Sequence, residues 1–286
     1  MRIWYKFFLY ENSKIDTNLK KDKEFSEHEK SMGGYDANAH YRNKSLFLQK
    51  YLTDRYHVYF TFLKKNLLKE YKILSLGSGR CISELSLLDF GYNITCSDME
   101  IPRCYEQSKK IFKDFRYEKL NILSDNLSQK FNSIICFSML YLFEKKELEM
   151  FFKKTNNALE PNGLLIVDPG GGENNFFSFI YDQIYLPFES FLVFLFSKFL
   201  KKKYLLFKKH QGYRFSNNEL MKIASKNGFE LLKVEQSDYY QELKRSKVIN
   251  FIINKFPKTK IILAIFGKFI PYVRIFKFKR INEKNI

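Results

Sequence analysis

Two glycines and an aspartate lie at a spacing that suits the binding of a nucleoside. Gly77-Ser78-Gly79 directly follows the short apolar run 72–76, and Asp98 comes 21 residues after Gly77. A glycine-rich turn between a strand and a helix lets the backbone approach a ligand, and the helix N-terminus offers free N–H groups. An acid at the end of the next strand can accept hydrogen bonds from both hydroxyls of a ribose. The spacing is close to the roughly 20 residues of dinucleotide-binding folds and predicts a nucleoside-cofactor site.

The elements that must position these residues alternate along the middle of the chain. Predicted helices fall at 46–70, 82–90, 102–112 and 144–159, and strands fall at 72–76, 92–97, up to Asn121, 133–137 and 164–167. Ser216 and Glu219 have the spacing of a helix capping box, and strands at 229–235 and 272–279 complete the series. The pattern predicts an α/β fold, a doubly wound Rossmann-like seven-stranded sheet with an antiparallel last strand.

Regions outside this alternation are assigned separately. Residues 1–71 are expected to form an N-terminal helical extension or lid, in which Tyr35-Asp36 covers the cofactor. Residues 72–286 are expected to form the sheet domain. Within it, 173–212 is an apolar insertion after strand five, which we place over the acceptor site, and 245–286 is a basic apolar tail with the last strand.

Several motifs, in order, resemble those of the class I S-adenosylmethionine-dependent methyltransferases over roughly residues 72–240. Residues 73–79 resemble their first motif, 134–143 their fourth strand and the loop after it, and 159–167 their turn into strand five. Residues 210–216 are similar to a late segment of the small-molecule methyltransferases.

The resemblance implies S-adenosylmethionine as cofactor and assigns roles to residues of this chain. Asp98 would bind the ribose and Asn121-Ile122 the adenine; the full cofactor-binding set is Gly77, Ser78, Gly79, Asp98, Met99, Asn121, Ile122 and Ser138. The motifs assign no catalytic residue, and the candidates are Tyr141 in the loop after strand four and His210 as a general base. Cys81 stands where the family often has a glycine, which narrows the space beside the methionine tail.

The same residues also have structural interpretations. Ser138 and Tyr141 could pack the loop after strand four, and His210 could be a surface residue. Asp168 could face the ligand edge of the sheet or cap the turn formed by Gly170, Gly171 and Gly172.

The sequence narrows the acceptor without naming it. Residues 138–141 are Ser-Met-Leu-Tyr, which is not the motif of enzymes that methylate base amino groups, and Cys136 lies inside a strand. We see no clustered carboxylates for a metal and expect a small-molecule, lipid-linked or glycan-linked acceptor. RNA methylation through the basic tail, or a non-catalytic binding module, are the alternatives. Four cysteines without CxxC spacing indicate reduced thiols and a cytoplasmic location.

Charge and apolar residues are concentrated outside the core. The chain has 49 basic and 31 acidic residues and a net charge of +18. Residues 72–172 are neutral overall, whereas 245–286 hold 11 basic residues and Glu283 alone as an acid. Residues 176–203 and 247–280 mix apolar side chains with lysines and suit the headgroup layer of an anionic membrane. Asp182, Pro187 and Glu189 interrupt 176–200, so we expect peripheral association and no spanning segment.

Overall fold

A computed structural model describes residues 1–11, 55–79, 81–102, 105–201, 204–237, 247–269, 271 and 273–281. The expected lid residues Tyr35-Asp36 and the first part of the helix predicted at 46–70 lie outside these ranges. In chain order the strands are β1 (Arg2–Glu11), β2 (Ile73–Leu76), β3 (Ile94–Asp98), β4 (Arg116–Lys119), β5 (Phe131–Phe137), β6 (Leu159–Asp168), β7 (Tyr204–Arg214), β8 (Phe229–Ser237) and β9 (Val273–Arg280). The helices are α1 (Arg55–Asn66), α2 (Ile82–Asp89), α3 (Tyr105–Ile111), α4 (Lys145–Ala158), α5 (Phe176–Phe199), α6 (Asn217–Lys226), α7 (Lys247–Lys255) and α8 (Thr259–Lys268).

A seven-stranded sheet in the order β4-β3-β2-β5-β6-β9-β8 forms the centre of the fold. Strands β2 to β6 pair in parallel, whereas β9 runs antiparallel to both of its neighbours, β6 and β8. The predicted seven-stranded sheet with an antiparallel last strand is confirmed. Strand order reverses at β2, between β3 and β5, which is where open parallel sheets bind ligands at their carboxyl edge.

Apolar residues cover both faces of the sheet. Along β5, Ile134 packs into the cluster that contains Phe151 of α4, and the next residue, Ile135, packs into the cluster that contains Leu63 of α1. All four side chains are fully buried. Because successive strand residues point to opposite faces, one strand anchors two helical layers and holds its carboxyl end in place.

The first residues form a strand, where the sequence analysis expected a helical extension. β1 pairs antiparallel with β7 over its whole length, with Arg2 opposite Arg214. The run Arg2–Glu11 is rich in aromatic residues, which favour extended structure once a partner strand is available. That partner lies about 200 residues further along the chain. We call this pair of strands the β1–β7 ribbon.

Helix α5 is continuous, so the expected interruption of this apolar segment is wrong. It runs for 24 residues and includes a π-helical turn at Tyr181–Tyr185. By length and composition alone it is apolar enough to cross a membrane, although such a helix is weak evidence for doing so. Asp182 can be buried inside the helix because its carboxylate accepts two hydrogen bonds from Arg214, both 2.7 Å long. Pro187 lies in the first turn of the α-helical part after the π turn, where its missing N–H is tolerated.

Candidate functional site

The turn after β2 adopts backbone angles that favour glycine. Gly77 has φ of +65° and Gly79 has φ of +50°, both in the left-handed region. A Cβ on Gly77 would lie 2.5 Å from Sδ of Met139, so a larger residue here would also have to displace the Met139 side chain. Among the residues that the structure describes, a Cβ on Gly79 would meet nothing within 4 Å. The second glycine therefore borders open space at the carboxyl end of β2.

Ser78 ties this turn to the neighbouring strand. Its hydroxyl donates to the Ser75 carbonyl at 3.1 Å and accepts from the Ser97 N–H at 3.1 Å. Its own N–H donates to the Ser97 carbonyl at 2.9 Å. The Ser78 side chain thus stabilises the conformation of the loop. Only the Ser78 backbone is left to contact a ligand at the carboxyl edge of the sheet.

Asp98 lies beside the glycine turn, as the spacing predicted. Its carboxylate accepts a hydrogen bond of 2.9 Å from the Gly79 N–H and one of 2.7 Å from the Met99 N–H. Burial raises the pKa of Asp98 above its usual value, and the two backbone donors act against that shift. Each carboxylate oxygen has two acceptor positions, so both can accept a further hydrogen bond from a ligand hydroxyl.

Glu84 is a buried acid that sequence reasoning missed. Its carboxyl group accepts a hydrogen bond of 2.7 Å from the Ser75 hydroxyl, behind the glycine turn. Burial raises the pKa of Glu84, and the nearby Asp98 adds to that effect. The sequence of α2 gave no clear signal, because Glu84 stands among other polar residues of the helix, namely Ser83, Ser86 and Asp89.

The loop after β4 contains Asn121 and Ile122, the two residues predicted to contact the adenine. The Asn121 amide oxygen accepts from the Leu123 N–H at 3.0 Å, and the Asn121 N–H donates to Asp125 at 2.8 Å, which lowers the pKa of Asp125. The Ile122 side chain is buried in the core, so only its backbone can approach a ligand. Met99 is half-exposed beside Asp98.

Ser138 belongs to a buried hydrogen-bonded cluster at the ends of β5 and β6. The Tyr59 hydroxyl donates to the Asp168 carboxylate and lies 3.1 Å from the Ser138 hydroxyl. The Ser138 N–H donates to the Asp168 carbonyl at 2.8 Å, and Ser138 itself has φ of +55°. The Tyr59 ring stacks on Phe137 at 4.3 Å between centroids. Helix α1 therefore fixes the backbone that follows β5, and sequence reasoning did not single out Tyr59.

The three glycines after β6 form the next wall of the site. Gly170, Gly171 and Gly172 all have φ near +70°, and Asp168 accepts a hydrogen bond of 3.0 Å from the Gly170 N–H. The capping interpretation of Asp168 is confirmed. A Cβ on Gly170 would lie 2.8 Å from the Tyr141 ring. Glycine is needed here because the turn wraps closely around that tyrosine.

The two catalytic candidates lie in different places. Tyr141 follows Ser138 and contacts the three-glycine turn, Trp4 of the β1–β7 ribbon at 6.1 Å between ring centroids, and Gly212 of β7. His210 is exposed on β7, where its ring contacts Tyr5 and Tyr213. The structure brings Tyr141 to the carboxyl edge of the sheet and leaves His210 on the ribbon.

Buried arginines join the ribbon and α5 to this wall. Arg214 and Arg2 both bind the Asp182 carboxylate, with N···O distances of 2.7 and 2.8 Å. Arg274 donates to the carbonyl of Gly172 at 2.8 Å, and burial lowers its pKa to about 10. Among the described residues, no group of three or more His, Cys, Asp or Glu side chains is placed to hold a metal ion.

No model of a known protein family matches the sequence. Solved structures do share its fold. A TehB-like SAM-dependent methyltransferase from Corynebacterium glutamicum is 13% identical, covers 89% of this chain and 99% of its own, and has a TM-score of 0.52. The 1,6-didemethyltoxoflavin-N1-methyltransferase of Burkholderia thailandensis, solved with S-adenosylhomocysteine, is 12% identical, covers 94% of both chains and has a TM-score of 0.53.

The magnesium protoporphyrin IX methyltransferase of Synechocystis, also solved with S-adenosylhomocysteine, is 12% identical over 87% of this chain and 94% of its own, with a TM-score of 0.51. These identities are low, and what the likeness shows is the architecture. The chain has the fold of the class I S-adenosylmethionine-dependent methyltransferases.

Proposed function

We propose that the protein is an S-adenosylmethionine-dependent methyltransferase that acts on a small-molecule, lipid-linked or glycan-linked acceptor. The observation that carries the proposal is the Asp98 carboxylate, bonded to the Gly79 N–H beside the open space that Gly79 borders. It lies at the carboxyl edge, where the strand order reverses. Two neighbours in fold were solved with S-adenosylhomocysteine, which supports this choice of cofactor.

Each part of the site has a role in holding that cofactor. Asp98 accepts hydrogen bonds from the ribose hydroxyls, and Gly79 gives the ligand access to the backbone. Asn121 and the backbone of Ile122 are the protein groups for the adenine. Ser138, fixed by Tyr59, sets the course of the loop beside the methionine tail. When bound, the cofactor supplies an electrophilic methyl group, and its sulfur keeps the electron pair after transfer.

Tyr141 and the three-glycine turn form the acceptor side of the site in this proposal. The tight packing of Gly170 and Gly212 on Tyr141 fixes the ring in one position. Holding an acceptor atom in line with the methyl group supplies much of the catalysis in such a reaction. A nitrogen or oxygen acceptor gives up its proton, and the Tyr141 hydroxyl is the candidate to relay that proton to solvent by passing on its own.

We infer a cytoplasmic location, with peripheral attachment to a membrane. Cys81, Cys96 and Cys136 are free and buried, which suits a reducing compartment.

The test is a transfer assay with cofactor labelled in its methyl group, incubated with the membrane and soluble fractions of cells that carry the gene. We expect label in organic-extractable or small-molecule products, and little with Asp98→Ala. Label confined to RNA would refute the acceptor class. Binding of S-adenosylhomocysteine without transfer in any fraction would refute catalysis and indicate a non-catalytic module.

A further inference from the structure

Helix α5 reverses the usual arrangement of a surface helix. Its buried residues are polar, namely Ser178, Asp182 and Ser197. Thirteen of its 24 residues are large apolar side chains that are at least 37% exposed, among them Phe188 at 60% and Phe196 at 67%. A helix on a water-soluble surface turns its apolar side inward. An apolar surface of this kind indicates contact with a partner or a membrane.

A second helix extends the same surface. The rings of Phe177 and Phe269 lie 5.0 Å apart, and the Asn175 side chain donates to the Phe269 carbonyl at 3.0 Å. Phe269 directly follows α8, whose exposed side chains include Ile261 at 64% and Ile265 at 52%. The exposed apolar residues of α5 and α8 are hereafter the apolar surface.

The charges around the apolar surface are positive. Exposed lysines lie at the end of α5 and along the α7–α8 region: Lys198, Lys201, Lys255, Lys258 and Lys268. Residues 247–281 contain no acid, and α5 contains only Asp182, which is paired with arginines, and Glu189. Apolar side chains with lysines at their margin match an anionic lipid surface. A second copy of this basic chain would bring like charges together.

The polar side of α5 determines how the helix can meet a membrane. Ser178 and Ser197 are 19 residues apart, so the buried line extends about 28 Å along the helix axis. At one end of it, Asp182 is bound by both Arg214 and Arg2 of the β1–β7 ribbon. Crossing a bilayer would expose this line to lipid and separate a buried carboxylate from two guanidinium groups, which is strongly unfavourable.

We propose that α5 and α8 insert the apolar surface into one leaflet of an anionic membrane, with α5 parallel to the membrane plane and still docked on the ribbon. The inference deepens and rests on the proposed function, because β7, which binds α5 through Arg214, also places Gly212 against Tyr141. This link sets the acceptor side of the site next to the lipid surface. The acceptor class that fits is a lipid-linked molecule with its reactive group at the headgroup level.

Flotation of the full chain with vesicles tests the inference. The vesicles contain phosphatidylcholine alone or with about 30% phosphatidylglycerol. One variant, Phe188→Gln/Phe196→Gln, removes two rings of the apolar surface. The matched control, Leu68→Gln/Leu232→Gln, changes two side chains of similar exposure, 50% and 46%, which lie before β2 and on the edge strand β8. Calorimetry with S-adenosylhomocysteine checks that each variant keeps its fold and its cofactor site.

We expect flotation with anionic vesicles, and a loss of vesicle affinity of about tenfold or more in the phenylalanine variant only. Equal flotation of both variants would overturn the proposal. The proposal would also be overturned if the protein failed to float and formed a stable dimer in sedimentation. Stronger binding to RNA than to vesicles would overturn it as well. Cofactor binding by a protein that does not float would refute this inference and leave the proposed function intact.

Discussion

At the scale of single residues, the candidate site contains two acids in different environments, Asp98 and Glu84. Asp98 faces the open side of the glycine turn and accepts two backbone hydrogen bonds. Glu84 lies behind the same turn, fully enclosed, with Ser75 as its hydrogen-bond donor. Burial raises the pKa of both, so the folded protein holds on to protons that the unfolded chain releases.

Glu84→Gln should flatten the pH dependence of stability. Because the folded pKa of Glu84 lies above its unfolded value of about 4.3, the wild type loses stability as pH rises from that value through the raised pKa. Each unit of pKa difference corresponds to about 1.4 kcal/mol. Glutamine keeps an acceptor for Ser75 and cannot ionise. Urea unfolding between about pH 5 and pH 8 measures how the free energy of unfolding of each protein changes with pH. An identical pH dependence in wild type and variant would contradict the prediction.

Residue spacing predicted Gly77, Gly79 and Asp98 because all three lie within one strand-turn-helix-strand unit. It did not predict Tyr59, since its partners Ser138 and Asp168 are 79 and 109 residues away. Whether Asn121 and Ser138 contact the cofactor stays a prediction.

At the scale of elements, α1 secures the ends of β5 and β6 through one tyrosine. Tyr59 is 2% exposed, stacks on Phe137 and donates to the buried Asp168 carboxylate. Asp168 in turn caps the three-glycine turn that encloses Tyr141. Helix α1 is therefore connected, through Tyr59 and Asp168, to the turn that packs on Tyr141.

Tyr59→Phe should destabilise the protein by about 1–3 kcal/mol, because it leaves the buried Asp168 carboxylate with one donor fewer while the ring stacking is kept. Tyr92→Phe is the control, since the Tyr92 hydroxyl makes a longer bond of 3.3 Å to the Lys64 carbonyl. Urea unfolding of both variants gives the comparison. A loss for Tyr59→Phe no larger than that for Tyr92→Phe would argue against the role of this cluster.

Local pattern predicted most strands of the central sheet to within two residues, and the Ser216 capping box is confirmed. Strand β6 begins at Leu159, five residues before the predicted start. Local pattern failed for β1, β7 and α5. β1 pairs with a strand about 200 residues away in the sequence, and Asp182 inside α5 is paired with Arg214 of that strand. Both are tertiary contacts that periodicity does not contain.

At the scale of the whole molecule, the glycine turn, Asp98 and Tyr141 lie in the neutral segment 72–172, whereas the basic residues are concentrated in 245–286. The predicted order of strands and helices was sufficient for the fold, since only a few topologies are compatible with right-handed crossovers. Tyr141 packs against Trp4 and against glycines from other parts of the chain, so local pattern did not predict its surroundings.

The most direct test of the central claim is calorimetric titration of S-adenosylhomocysteine into the wild type, Asp98→Ala and the exposed control Asp114→Ala. The account predicts binding of one ligand per chain, unchanged affinity in Asp114→Ala, and a loss of about tenfold or more in Asp98→Ala, since a hydrogen bond to a charged group contributes about 1.5–3 kcal/mol. Circular dichroism confirms that each variant is folded. No binding by the folded wild type, or equal affinity in Asp98→Ala, would contradict the account.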